Sequence, residues 1–285
     1  MAAEHQEKRI LLWGVCYTCH QPFCGAVGLE LAKAHLSRVQ GRREKFSSWV
    51  EASMFLGNAL SSAGKFAEAE ADCRETFAAF ERAGLPTNKV GTALLHQSLA
   101  NALCNQGKHA DAEVIFERIV KLKKRAFGAD SQGALQTAVL HGNSLAAQGK
   151  HAKATVVLRK TFENAKQALG PENTTSLSCA STLAAVLTDQ GQYAEAETLF
   201  KEFSPVLRRV VGPDHVEVLT STLNYALCLQ HVGRLDEAEA MLVGNLEALQ
   251  RVWGAEQELT LNVTRVLASV RNDIAIQITA TAPKV

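Results

Sequence analysis

Apolar residues recur along this chain at helical rather than alternating spacing, as in Val114, Ile115, Ile119, Val120 and Leu122. Glycines punctuate that pattern on a fixed ruler: Gly64, Gly107, Gly149, Gly191 and Gly233 lie 43, 42, 42 and 42 residues apart, and each opens a G-(K/Q/R)-x-x-x-A stretch. A second series, Gly84, Gly128, Gly170, Gly212 and Gly254, follows the first by 20 or 21 residues and halves every repeat. Each half is too long for a strand. The unit predicted is therefore a helix hairpin, repeated in an array.

Two phase-locked small positions predict how each hairpin closes. Gly57, Ala100, Gly142, Ala184 and Ala226 stand seven residues before the turn glycine, and Ala69, Ala112, Ala154, Ala196 and Ala238 stand twelve residues further on, in the second helix. Residues without bulky side chains let two helix backbones approach closely, so small is expected to meet small across the hairpin. Leu60, Leu103, Leu145, Leu187 and Leu229 fill the space beside them. One period back, Gly14, Tyr17, Ala26 and Gly41 keep the phase; one period on, Leu267 and Ala268 do. The expected organisation is a degenerate repeat over 1–46, five clear repeats over 47–256, a capping helix over 257–275 ending near Arg271, and a tail over 276–285 that frays. The fold class is all-α: an α-solenoid, a right-handed superhelix of antiparallel helix pairs.

Local chemistry agrees with the hairpins. Gly170-Pro171 and Gly212-Pro213 read as helix stops, with glycine in the left-handed conformation and proline unable to continue. Asp214 with Glu217 reads as a capping box, and Asn173 as a helix start. Second helices begin acidic and end basic, as the helix dipole favours. Pro205, inside a second helix, is expected to kink it.

The stretches LGPENTTSLSCASTLAAVLTDQGQYAEAETLFKEF and VGPDHVEVLTSTLNYALCLQHVGRLDEAEAML resemble tetratricopeptide repeats, specifically the 42-residue variety of kinesin light chains, through their G-P-(D/E)-(H/N) junction and G-x-(Y/L)-x-E-A-E turn. The similarity spans about Ser47 to Val270. No sustained heptad segment accompanies it, so motor attachment is not implied. No G-x-x-x-x-G-K-(S/T) loop occurs either, so the similar arrays carried by nucleotide-switch ATPases imply no ATP use here. By resemblance, the first-helix face opposite the small slots lines a concave groove in which asparagines hold the backbone of an extended peptide. Advancing about 100° per residue assigns to that face Asn58, Asn101 and Asn143 one residue after the slot, Asn105 five after, and Ser98, Thr182 and Asn224 two before. An amide both donates and accepts, which suits main-chain binding. Neutral polar groups that simply face water would read the same way. No Lys or Arg occupies these slots, which disfavours capture of a terminal carboxylate.

Composition narrows the partner. A net charge of +1 and a pI near 7.7 provide no general attraction for nucleic acid or an anionic membrane. No apolar run reaches the roughly 20 residues needed to span a bilayer, and the N-terminus makes no convincing signal peptide, so a cytoplasmic location is expected. Cys73, Cys104, Cys179 and Cys228 read as reduced packing residues. The competing chemistry is Cys16, Cys19, His20 and Cys24, with the C-x-x-C-H spacing of haem attachment and the ligand types of zinc, though cramped for zinc and without a second knuckle. The repeat phase instead places them on a worn first helix, and no metal, cofactor or catalytic residue is expected. The reading is an adaptor binding a protein or peptide partner; the alternatives are a zinc- or, after it, haem-binding N-terminal module on the same solenoid, and a sensor fragment of a larger nucleotide-switch protein.

Overall fold

A computed structural model describes residues 25–42, 45–87 and 90–281. Their twelve α-helices are α1 (Gly25–Val39), α2 (Phe46–Ser62), α3 (Phe66–Arg82), α4 (Ala93–Asn105), α5 (His109–Phe127), α6 (Gln132–Ala147), α7 (His151–Leu169), α8 (Thr174–Asp189), α9 (Tyr193–Val211), α10 (Val216–Val232), α11 (Leu235–Trp253) and α12 (Glu258–Thr281), with a short 3₁₀ turn, Val90–Thr92, before α4. No strand occurs among the described residues. The chain divides into two compact units, Met1–Thr137 and Ala138–Val285. Within the first, α2 packs on α3 and α4 on α5; within the second, α8 packs on α9 and α10 on α11. First helices of successive repeats also touch, α2 with α4, α8 with α10 and α10 with α12.

The five turns share one device. Gly64, Gly107, Gly149, Gly191 and Gly233 all have positive φ, and the residue after each donates its N–H to the carbonyl of the periodic leucine: Lys65 to Leu60, Lys108 to Leu103, Lys150 to Leu145, Gln192 to Leu187 and Arg234 to Leu229, at 2.9–3.0 Å. This is the Schellman closure, in which glycine takes a left-handed backbone that a side chain would strain. The same leucines are buried, so one position both packs the hairpin and ends its first helix.

The junction glycines behave differently from expectation. Gly128, Gly170, Gly212 and Gly254 have φ 86–92° but ψ 154–171°, an extended conformation essentially confined to glycine rather than the left-handed helical one. Asn173 caps α8 as expected, accepting from the Thr175 N–H at 2.9 Å. At α10 the cap is His215, whose Nδ1 accepts from the Glu217 N–H, while Asp214 pairs with Arg251; the expected capping box is not formed. Helix α9 runs unbroken through Pro205. The last helix continues to Thr281, past the end expected near Arg271, with Thr279 still bonded back to Ile276.

All five second-helix alanines are fully buried, and so are Ala100, Ala184 and Ala226. At the two glycine slots, however, the nearest partner is the residue one turn beyond the alanine. A methyl group at Gly142 would lie 2.5 Å from Leu158 Cδ2, and one at Gly57 would lie 3.3 Å from Cys73 Sγ. At these two slots the small residue therefore admits the side chain four beyond the alanine, which elsewhere is Phe116, Phe200 or Leu242. Burial pushes the Cys73 and Cys179 thiols up to about 12, as inert packing residues require.

Two polar residues occupy apolar places in the period. Lys123 stands where the other repeats have Phe80, Ala165, Leu207 and Leu249; it is buried, donates to Gln97 Oε1 at 3.1 Å and Thr137 Oγ1 at 2.8 Å, and its pKa is lowered by desolvation. Asp72 stands where Ile115, Val157, Leu199 and Met241 recur. Its Oδ2 is buried without a partner, and desolvation, with Glu75 adding to it, raises the carboxyl to about 6. The neutral acid is thus the form the fold tolerates. Its contribution is present below the unfolded value near 4 and is lost as pH rises through about 6. Asp72→Leu is expected to gain about 1 kcal/mol at pH 8, discounted for partial exposure, and markedly less at pH 4, measured by urea unfolding at both.

Candidate peptide-binding face

Phase along each first helix places the selected polar residues in two groups, one in each unit. In the first unit Asn58 and Asn105 are exposed and Asn101 is half-buried. Ser98, on α4, is buried, and its hydroxyl donates to Asn58 Oδ1 on α2 at 3.0 Å. That bond joins consecutive repeats. It engages the Asn58 amide oxygen and leaves the N–H₂ out of that bond, so Ser98 orients an asparagine rather than offering itself to a ligand. In the second unit Asn143 is exposed, while Thr182 and Asn224 are half-buried. Half-buried Leu227 adds apolar surface to the α10 position next to its slot, where the first unit has asparagine. Of the seven selected residues, only Asn58 and Ser98 are joined by a hydrogen bond.

Helix periodicity could not separate Ser98 from its neighbours, because burial by the preceding repeat is a contact between helices and not a property of one. The repeated distance would have been the clue: Asn58 and Ser98 are 40 residues apart, three short of the 43-residue spacing of these two repeats, which sets them side by side on adjacent first helices.

Lys108 and Arg74 both reach Glu70, and the Lys108 hydrogen bond, helped by Gln106, holds the Glu70 carboxyl below its ordinary range. In the second unit Arg159 pairs with Glu195, Arg234 with Glu197, and Arg271 with Glu239, each clasping one repeat to the next. The basic helix ends have local partners as well: Arg209 meets Glu172 at 2.7 Å, and Arg251 meets Asp214. Among the described residues no cluster of three or more His, Cys, Asp or Glu could hold a metal ion, and no helix is long and apolar enough to cross a membrane. Cys16, Cys19, His20 and Cys24 lie outside the described residues.

Paired helices of 42-residue period, Schellman turns on a leucine carbonyl and buried alanines at one phase define a helical repeat array. Tetratricopeptide repeat family models match residues 52–83, 89–167 and 175–242, and the chain belongs to the tetratricopeptide repeat family. Its fold is an α-solenoid of the kinesin-light-chain-like type. An array of nearly identical TPR-like repeats of kinesin light chain type from Podosopora anserina superposes with a TM-score of 0.58 at 18% identity, covering 76% of this chain and 97% of that one. BtubC (BKLC) from P. vanneervenii superposes with a TM-score of 0.63 at 14% identity, covering 81% and 93%. No curated protein sequence matches the chain.

Proposed function

We propose that this protein is a non-catalytic adaptor of the cytoplasm that binds an extended segment of a partner protein along its first-helix faces. The observation that carries the reading is the recurrence of an asparagine at one phase in three successive repeats, Asn58, Asn101 and Asn143, the first and last exposed. An amide can donate to a peptide carbonyl and accept from a peptide N–H, so asparagines at this phase recognise main chain with little regard to sequence. Asn105, Thr182 and Asn224 extend the same chemistry, and Ser98 holds Asn58 in place. Specificity then falls to the apolar positions between them, Phe55 and Leu140. No Lys or Arg stands at these positions, which favours a peptide over a polyanion.

Peptides selected from a random display library against the whole chain provide the test. Binding of a selected peptide is expected to weaken at least tenfold, about 1.4 kcal/mol, in the Asn58→Ala, Asn101→Ala, Asn143→Ala variant, with the melting temperature unchanged. Equal affinity in a folded variant would remove these residues from the site.

A further inference from the structure

Within the second unit, the groove between the second helices α7 and α9 holds an open cavity of about 310 Å³. Its apolar lining is Leu183 of α8, 3% exposed, with half-buried Phe162 and Leu199. Its charged lining is uneven: Glu163 from α7 and Glu195 and Glu202 from α9 stand against one cation, Arg159. That cation is already engaged. Both of its terminal nitrogens bond to Glu195 across the groove, Nη2 to Oε2 at 2.7 Å.

The pairing deprives Glu163 of Arg159, which stands one turn before it on the same helix, at a spacing where such pairs form. Neither Glu163 nor Glu202 has a hydrogen-bond or ion-pair partner among the described residues, and Lys166, 5.8 Å from the Phe162 ring centroid, bonds neither. Both carboxylates lie well past the first turns of helices that start at His151 and Tyr193, so the helix dipole does not favour them. Nor does the repeat require them. The phase of Glu163 holds Ala78, Lys121, Pro205 and Glu247 elsewhere, and that of Glu202 holds Glu75, Arg118, Lys160 and Gly244. Two like charges therefore border one apolar hollow with no counter-charge of their own.

We infer that the α7–α9 cavity is a receptor for an arginine side chain supplied by a protein partner, with the stem against Leu183, Phe162 and Leu199 and the guanidinium at Glu163 and Glu202. Arginine joins an apolar stem to a charged head, which matches apolar walls with an acidic border. Its planar fork of donors can serve two carboxylates at once, as a single ammonium point charge cannot do with the same geometry. The Arg159–Glu195 pair is the chain's own instance of a guanidinium held by glutamate at this groove. The receptor does not rest on the asparagine face: its charged residues all lie on second helices, so it takes a different segment from the one bound along the first helices.

Titrating the blocked peptide Ala-Ala-Arg-Ala-Ala into the whole chain at low salt, with the Leu183 and Leu199 methyls followed by NMR, tests this. A saturable shift with a Kd of the order of 1 mM or tighter is expected. The same peptide with citrulline, the neutral isostere, in place of arginine is expected to bind at least tenfold more weakly. Glu163→Gln with Glu202→Gln should equalise the two peptides and leave the melting temperature unchanged, because neither carboxylate has a partner to lose. Asp236→Asn with Glu256→Gln, which removes as much charge from exposed positions elsewhere, should keep the preference for arginine. No saturable shift with the arginine peptide, equal binding of both peptides to the wild type, or a preference that survives the glutamine pair at 163 and 202 would each overturn the inference.

Discussion

Phe200→Ala is expected to lower the unfolding free energy by about 3–5 kcal/mol in denaturant titrations, among the largest losses any single truncation here should cause. Phe200 is completely buried. Its ring stacks on Tyr225 of the next first helix, with centroids 5.0 Å apart and planes 13° from parallel, and lies 5.7 Å from Phe203 on its own helix. It therefore joins α9 to α10 while occupying the place, four beyond Ala196, that Leu158 fills against Gly142 one repeat earlier. Truncation removes the transferred area and leaves a void that the rigid helices flanking it can only partly close. A loss below about 1 kcal/mol would mean that α9 and α10 are not held together through this ring.

Ala154→Phe should cost about 3 kcal/mol or more, through overpacking rather than a void. Ala154 is completely buried on α7, one turn from Leu158, which already approaches Gly142 so closely that a single methyl group there would sit 2.5 Å from it. A ring at 154 has no space to enter unless the hairpin opens. Val156→Phe, two residues away on the same helix, is the control: Val156 is 70% exposed, and the change should stay within about 0.5 kcal/mol. Equal effects at the two positions would contradict the phase assigned to the small residues.

The repeat length, both glycine series, the buried alanines and the leucines at the turn were legible in the sequence because each recurs five times at one phase, so chance placements average out. What recurs only once or twice was harder. Asp214 and Glu217 have capping-box spacing, but Arg251 from the far end of the same hairpin takes Asp214, and His215 caps α10 instead. The junction glycines were expected to be left-handed; their ψ near 160° follows from redirecting the chain into the next helix, which composition does not encode. The close packing of small on small was right about close approach and wrong about the partner at Gly142, since which large residue enters a gap depends on the stagger of the two helices.

The candidate face was legible as a phase and not as a surface. Asn58 and Asn143 are exposed as the helical wheel requires, whereas Ser98, at an equally favourable phase, is covered by the neighbouring repeat and bonded to Asn58. Lys123 and Asp72 could have been found by aligning the repeats on themselves, because each breaks a position that the other repeats keep apolar.

Site-directed photo-crosslinking tests the binding face most directly. A photoreactive side chain at Asn105 or Asn143, on first helices, is compared with one at Val114 or Val156, which are 68% and 70% exposed on second helices. With a selected peptide present, crosslinks should form from Asn105 and Asn143 and not from the two valines. Crosslinks from the valines alone would place the partner on the opposite side of the hairpins and contradict the account.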